Sequence, residues 1–95
     1  MADTIDVTVF TRSTCPRTDA ARAVLDKAHG RFPIALTEVD VTFDAALEIA
    51  YGNDTPVVLI EGTERFRREV DEHELNIILQ TLQMKRGLRR EGPKA

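Results

Sequence analysis

Cysteine occurs once in these 95 residues, serine once, histidine twice and tryptophan not at all. A single cysteine, Cys15, cannot close an internal disulfide, so the fold does not rest on oxidation and a reducing cytoplasm is the expected setting. His29 and His73 are too few and too scattered, with that one cysteine, to make a closed zinc site, and no metal is expected. His29 suits the C-terminal end of a helix and His73 the exposed first turn of another. Ser13 lies in no G-x-S-x-G, which argues against a serine hydrolase of that type. No glycine-rich loop is present to cradle a phosphate. No apolar run approaches the roughly 20 residues that span a bilayer. The short acidic start, Met1 to Asp6, does not read as a secretory leader. Asn53-Asp54-Thr55 matches a glycosylation sequon, by chance in this context.

What is present is the composition of an ordinary globular chain, 42% apolar and 31% charged. A domain of this size buries about 60–65% of the surface its unfolded chain exposes, enough to fold without staples. The net charge of −3 hides an asymmetry. Residues 85–95 carry five basic groups and one acid, leaving 8 basic and 15 acidic groups over 1–84. The expected division is a domain over 1–84 and a basic, flexible C-terminal tail over 85–95. Such a tail would suit an acidic partner; a solvated terminus is the simpler reading, and no nucleic-acid partner is expected.

The order of elements follows from hydrophobic periodicity. "IDVTVF" (5–10) alternates and is rich in β-branched residues, which predicts a strand. From Pro16 to His29, Ala20, Ala21, Val24, Leu25 and Ala28 share one helical face, with Pro16 at the first helical position and Gly30 as the cap. "IALTEVD" (34–40) is a second strand, and a connection this long implies a right-handed parallel βαβ unit. Residues 43–51 predict a short helix capped by Thr42 and closed by Gly52. "PVVLIE" (56–61) is a strand buried on both faces. Gly62 turns the chain into a charged edge strand, "TERFRREV" (63–70), whose Arg65, Arg67 and Arg68 discourage edge-to-edge pairing. Asp71 and Glu74 have capping-box spacing before a helix with Leu75, Ile78, Leu79 and Leu82 in one stripe. The order βαβαββα predicts an α/β fold: a four-stranded mixed sheet with helices on both faces.

This order places Cys15 just past the end of the first strand, at the start of the first helix, where ligand sites of open α/β sheets lie. Unpaired N–H groups and the positive end of the helix favour a thiolate there. Arg12 and Arg17 flank the cysteine, and Thr18, one turn on, can offer its hydroxyl to the sulfur. Cysteines so placed have pKa values of about 3.5–7.5, against roughly 8.5 for a free thiol. The alternative is a buried, inert cysteine acting as a small hydrophobe.

"VTVFTRSTCPRT" resembles the strand, loop and active-site start of glutaredoxins and other thioredoxin-fold proteins, whose usual motif is C-P-x-C. "YGNDTPVVLIEG" (51–62) is similar to their second signature, in which threonine-proline opens the third strand. The element order is also theirs, the resemblance covers about residues 5–82, and it is nearest to the small glutaredoxin-like domains of bacteria. It implies that Cys15 is the nucleophile, with Arg12, Arg17 and Thr18 stabilising its thiolate. It implies that Pro56 is a cis-proline facing the sulfur, and that Pro16, Thr55, Pro56 and Asp71 contact the substrate thiol. Thr55 would lend its backbone N–H and C=O to that substrate. No tightly bound cofactor is implied. Glutathione or another low-molecular-weight thiol would be the co-substrate, and a thiol-bearing protein a possible partner.

Two departures stand out. Thr18 replaces the second cysteine, so an outside thiol must resolve any mixed disulfide on Cys15. Arg68 and Glu69 stand where glutaredoxins usually carry a glycine pair, and the C-G-F-S of cluster-binding monothiol glutaredoxins is absent. Three readings follow: a monothiol thiol-disulfide oxidoreductase, a redox-inactive thioredoxin-fold binding or regulatory module, and a reductase of the arsenate type.

Overall fold

The computed structural model describes residues 4–12 and 15–87. Its elements are β1 (Ile5–Thr11), α1 (Pro16–His29), β2 (Ile34–Asp40), a 3-10 turn (Val41–Phe43), α2 (Ala45–Tyr51), β3 (Val57–Ile60), β4 (Thr63–Arg67) and α3 (Glu72–Arg86). The sheet order is β2-β1-β3-β4. α1 carries the chain back so that β2 pairs parallel to β1, while β3 and β4 pair antiparallel.

Alternation along β1 sorts its side chains between two layers. Ile5, Val7 and Val9 join Leu25 and Ala28 of α1 and Leu75 and Leu79 of α3 in the larger core. Phe10 points to the other face, where it meets Val41, Val57, Leu47 and Tyr51. The rings of Phe10 and Tyr51 stack with centroids 4.6 Å apart. β3 serves both layers: Val58 and Ile60 face the larger core, Val57 and Leu59 the smaller. Helices therefore cover both faces, α1 and α3 on one and α2 on the other. Leu75 and Leu79 are fully enclosed, and burying each contributes about 1.5–3 kcal/mol.

Several boundaries differ from the expectations, each for a local reason. β1 extends one residue to Thr11, and β3 is trimmed to Val57–Ile60. β4 stops at Arg67 and not at residue 70, because Arg68 turns to φ 78° and gives its N–H to the carbonyls of Pro56 and Asp54. α2 starts at Ala45 with Asp44, not Thr42, as its cap, the carboxylate accepting from Leu47 N at 3.1 Å. Thr42 instead donates its own N–H to Asp40 at 2.8 Å, which starts the 3-10 turn. The β3–β4 turn needs left-handed backbone at two positions, Glu61 (φ 54°) and Gly62 (φ 82°). The Glu61 carboxylate offsets its strain by accepting from Asp6 N and Arg86. Of α1's expected face, Ala20 is exposed, while Ala21, Leu25 and Ala28 are buried.

α3 runs through Lys85 and Arg86 to a left-handed cap at Gly87. The expected boundary at residue 84 thus falls inside the helix, and Arg86 is tied to Glu61 at 3.0 Å. The remainder of the basic tail, residues 88–95, lies outside the described residues.

Candidate active site

Cys15 is the N-cap of α1, in extended backbone (φ −125°, ψ 111°), and its side chain makes no capping hydrogen bond. The Cys15 carbonyl accepts from Thr18 N at 2.9 Å, so the first turn is closed while the sulfur remains available to the N–H groups above it. Burial acts against ionisation of the thiol, and hydrogen-bond donors outweigh it. The Thr18 hydroxyl, the N–H groups of Thr18 and Arg17, and the Thr55 hydroxyl together hold Cys15 below its ordinary range. The Thr18 and Thr55 hydroxyls are buried and have no hydrogen-bond partner. Both are donors on which a thiolate at Cys15 would draw. Cys15 itself is half-buried.

The loop before β3 supplies the opposite wall. The Thr55–Pro56 peptide is cis, and both residues are buried. The Thr55 carbonyl lies 3.8 Å from the Cys15 sulfur and accepts from Arg17 Nε at 3.2 Å. Arg17 Nη2 reaches the Asn53 carbonyl at 3.5 Å. A third segment closes the ring: Arg68 N donates to Pro56 O at 2.8 Å and Asp54 O at 3.0 Å. The Arg68 and Arg67 guanidiniums pair with Asp54 and hold its carboxyl below the usual range.

Arg12, Cys15, Pro16, Arg17, Gly52, Asn53 and Thr55 line one open hollow of about 470 Å³. Thr18 is buried beneath the sulfur. Three site residues behave differently from expectation. Arg12 is engaged by other partners: it pairs with Glu48 of α2, and its Nε donates to the Gly52 carbonyl at 3.1 Å. A carboxylate attracts a guanidinium more strongly than a thiol does, so Arg12 ties the β1–α1 loop to α2. Gly52 is required there, since a Cβ would come within 2.5 Å of the Glu48 carbonyl and 2.7 Å of Arg12. Asp71 lies outside the hollow and caps α3, accepting from Glu74 N at 2.9 Å. The Thr55 carbonyl, expected to face a substrate, is engaged within the protein. Glu48, Asn53 and Asp54 were not anticipated from sequence, and the Glu48–Arg12 pair spans 36 positions with no local pattern to mark it.

Beside the hollow runs a groove of about 460 Å³ between α1 and the β4–α3 connection, lined by Arg17, Ala20, Ala21, Val24, Arg68, Glu69 and Val70. Among the described residues no cluster of three or more His, Cys, Asp or Glu could hold a metal. None of their helices is long and apolar enough to cross a membrane.

A sulfur at a helix start, facing a threonine-proline that opens β3, is the arrangement whose sequence matches the family described as "Glutaredoxin-like domain (DUF836)", over residues 6–80. The chain belongs to the glutaredoxin-like domain family. Its fold is that of thioredoxin. A structural-genomics target protein from X. campestris superposes with a TM-score of 0.66 at 29% identity, covering 79% of this chain and 96% of that one. A mutant thioredoxin from Halobacterium salinarum gives 0.64 at 20% identity, covering 84% and 74%. Fasciola hepatica thioredoxin gives 0.58 at 16%, covering 84% and 82%. The last two speak to the fold of this glutaredoxin-like domain alone. No curated protein matches the chain.

Proposed function

We propose that this glutaredoxin-like domain is a monothiol thiol-disulfide oxidoreductase with Cys15 as its nucleophile. The observation that carries the reading is the Cys15 thiol at the N-cap of α1, surrounded by donors that favour its anion. In the first step the thiolate attacks a mixed disulfide R–S–S–R′. The Cys15–S–S–R bond forms, the old bond breaks, and R′–S⁻ leaves with the electron pair. Thr18 offers no second sulfur, so an external low-molecular-weight thiolate then attacks the mixed disulfide. It departs as a disulfide and restores the Cys15 thiolate. Glutathione or a similar small thiol serves as co-substrate, with no tightly bound cofactor. Pro16, Thr55 and Pro56 shape the wall against which the disulfide lies. A reducing compartment such as the cytoplasm supplies the resolving thiol.

A second reading, a redox-silent binding module, draws on one feature: the Thr55 carbonyl is already taken by Arg17 and the Cys15 thiol. One pair of measurements separates the two. The rate of iodoacetamide alkylation against pH should have its midpoint below the roughly 8.5 of a free thiol. A glutathionylated peptide should be reduced with turnover in excess glutathione, and not by Cys15→Ser. A midpoint at or above the free-thiol value, with no turnover, would leave the binding module.

A further inference from the structure

The sheet has two edges, β2 and β4, and they differ in how they meet solvent. β4 carries the devices that blunt an edge. It is five residues long, exposes Glu64, Arg65 and Arg67, and shifts register against β3 between Val58 and Leu59. It then ends where Arg68 turns to φ 78°. β2 carries none of these. It runs for seven residues in unbroken register with β1, from Ile34 opposite Ile5 to Asp40 opposite Thr11. It contains no lysine, arginine, proline or glycine. Its charges are Glu38, already bound to Arg22 of α1, and Asp40 at its last position. Ile5 N takes the Pro33 carbonyl, so in a parallel ladder the peptide groups of Ala35, Thr37 and Val39 face β1. Those of Leu36 and Glu38 then point out of the sheet, and no turn or cap among the described residues takes them.

We infer that the outer edge of β2 is an interface for a second copy of this chain, joined antiparallel across a two-fold axis at Thr37. A contact of this symmetry requires the strand to complement itself, and β2 does. With Thr37 facing Thr37, Leu36 faces Glu38, Ala35 faces Val39 and Ile34 faces Asp40. All seven residues are paired and no two like charges meet. Leu36 and Glu38, the residues with outward peptide groups, become the pairs that exchange both hydrogen bonds. Sliding the strands by two residues one way sets Glu38 against Glu38. Sliding them the other way leaves Val39 and Asp40 opposite Pro33 and Phe32, beyond the end of the strand. One strand pair is a small interface, so the dimer is weak and forms with concentration. β1 and β2 run parallel, so the two-fold sends the two Cys15 residues to opposite ends of the joined sheet. The inference therefore stands apart from the thiol-exchange reading.

Sedimentation equilibrium of the full chain, carrying Cys15→Ser to prevent cross-linking through that thiol, is run from micromolar to millimolar concentration. It should show monomer and dimer and nothing larger. Thr37 is exposed, so its side chain can be changed without disturbing the core. Thr37→Lys and Thr37→Glu each set like charges face to face and should weaken the dimer about tenfold. An equal mixture of the two variants should recover it, because opposite charges then meet. On mild oxidation Thr37→Cys should cross-link across the axis, where facing Cα atoms lie about 4.5 Å apart. Ala35→Cys, exposed on the same face, should not, because position 35 faces position 39. The amides of Leu36 and Glu38 should exchange more slowly as concentration rises. A chain that stays monomeric with these amides unprotected overturns the proposal. Protection that is the same at every concentration in a monomer also overturns it, since another part of the chain then covers the edge. A dimer indifferent to Thr37→Lys and not trapped through Thr37→Cys uses a different surface, which overturns it equally. Thr37→Lys with Cys15 in place should leave the alkylation profile of the thiol unchanged, so the interface and the thiol chemistry fail separately.

Discussion

Cys15 sits where serine would be the stabilising choice. An N-cap side chain ordinarily accepts a hydrogen bond from the first turn, and this one does not. Cys15→Ser should therefore raise stability by about 0.5–1 kcal/mol, read from urea unfolding, while abolishing thiol exchange. The same variant should flatten one part of the pH profile. A thiol whose folded pKa is depressed contributes stability that is present above its unfolded pKa and lost as pH falls through the folded pKa. With serine that window should vanish. Arg68 is a second residue placed against its own preference, at φ 78°. Left-handed backbone costs a non-glycine residue about 1–2 kcal/mol, and its exposed pair with Asp54 returns about 0–1. Arg68→Gly should raise the melting temperature by a few degrees. A fall would mean that the Asp54 contacts outweigh the strain. The candidate nucleophile was legible because its neighbours in sequence are its neighbours in space. The Arg12–Glu48 pair was not, because a lone arginine near a cysteine gives no sign of a carboxylate arriving from α2.

At the scale of elements, the first turn of α1 is a ready frame for two sulfurs. Thr18 is buried, and its side chain lies against Cys15. Thr18→Cys should close an internal disulfide with Cys15 on treatment with oxidised glutathione, losing two protons by mass spectrometry and keeping little adduct. The wild type should instead gain one glutathione. Two retained adducts on the variant would show that positions 15 and 18 do not share one helical turn. Strand and helix identities were readable because periods of 2 and 3.6 are local. Element ends were less so. Asp40, Thr42 and Asp44 are three successive capping candidates, and only the packing of Val41 against Phe10 and Val57 selects Asp44 for α2. The end of β4 is decided by the Asp54 and Pro56 carbonyls, more than ten positions earlier in the chain.

Across the whole molecule, the two layers differ in how firmly they hold. The larger core binds α1 and α3 to the sheet through fully enclosed side chains. The smaller layer is thinner: α2 buries none of its residues completely, and Ile49 and the preceding Phe43 are each 86% exposed. The layered order was legible from the apolar run of β3, whereas this inequality was not, since the sequence of α2 is as apolar as that of a well-anchored helix. Yet α2 ends at Gly52, which carries Arg12, and leads straight into Asn53 and Thr55, which hold Arg17 and face the sulfur. The site therefore has one bank anchored by enclosed side chains and one that is not, and the second should open first. Hydrogen exchange should release the amides of Leu47 to Tyr51 well before those of β1. Iodoacetamide trapping of Cys15 in mild urea should change at a concentration below the global transition. Equal protection of α2 and β1 would count against this separation. On that outcome the thiol would report on α2: its environment would change whenever this thinly buried helix opened, while the sheet beneath it stayed folded.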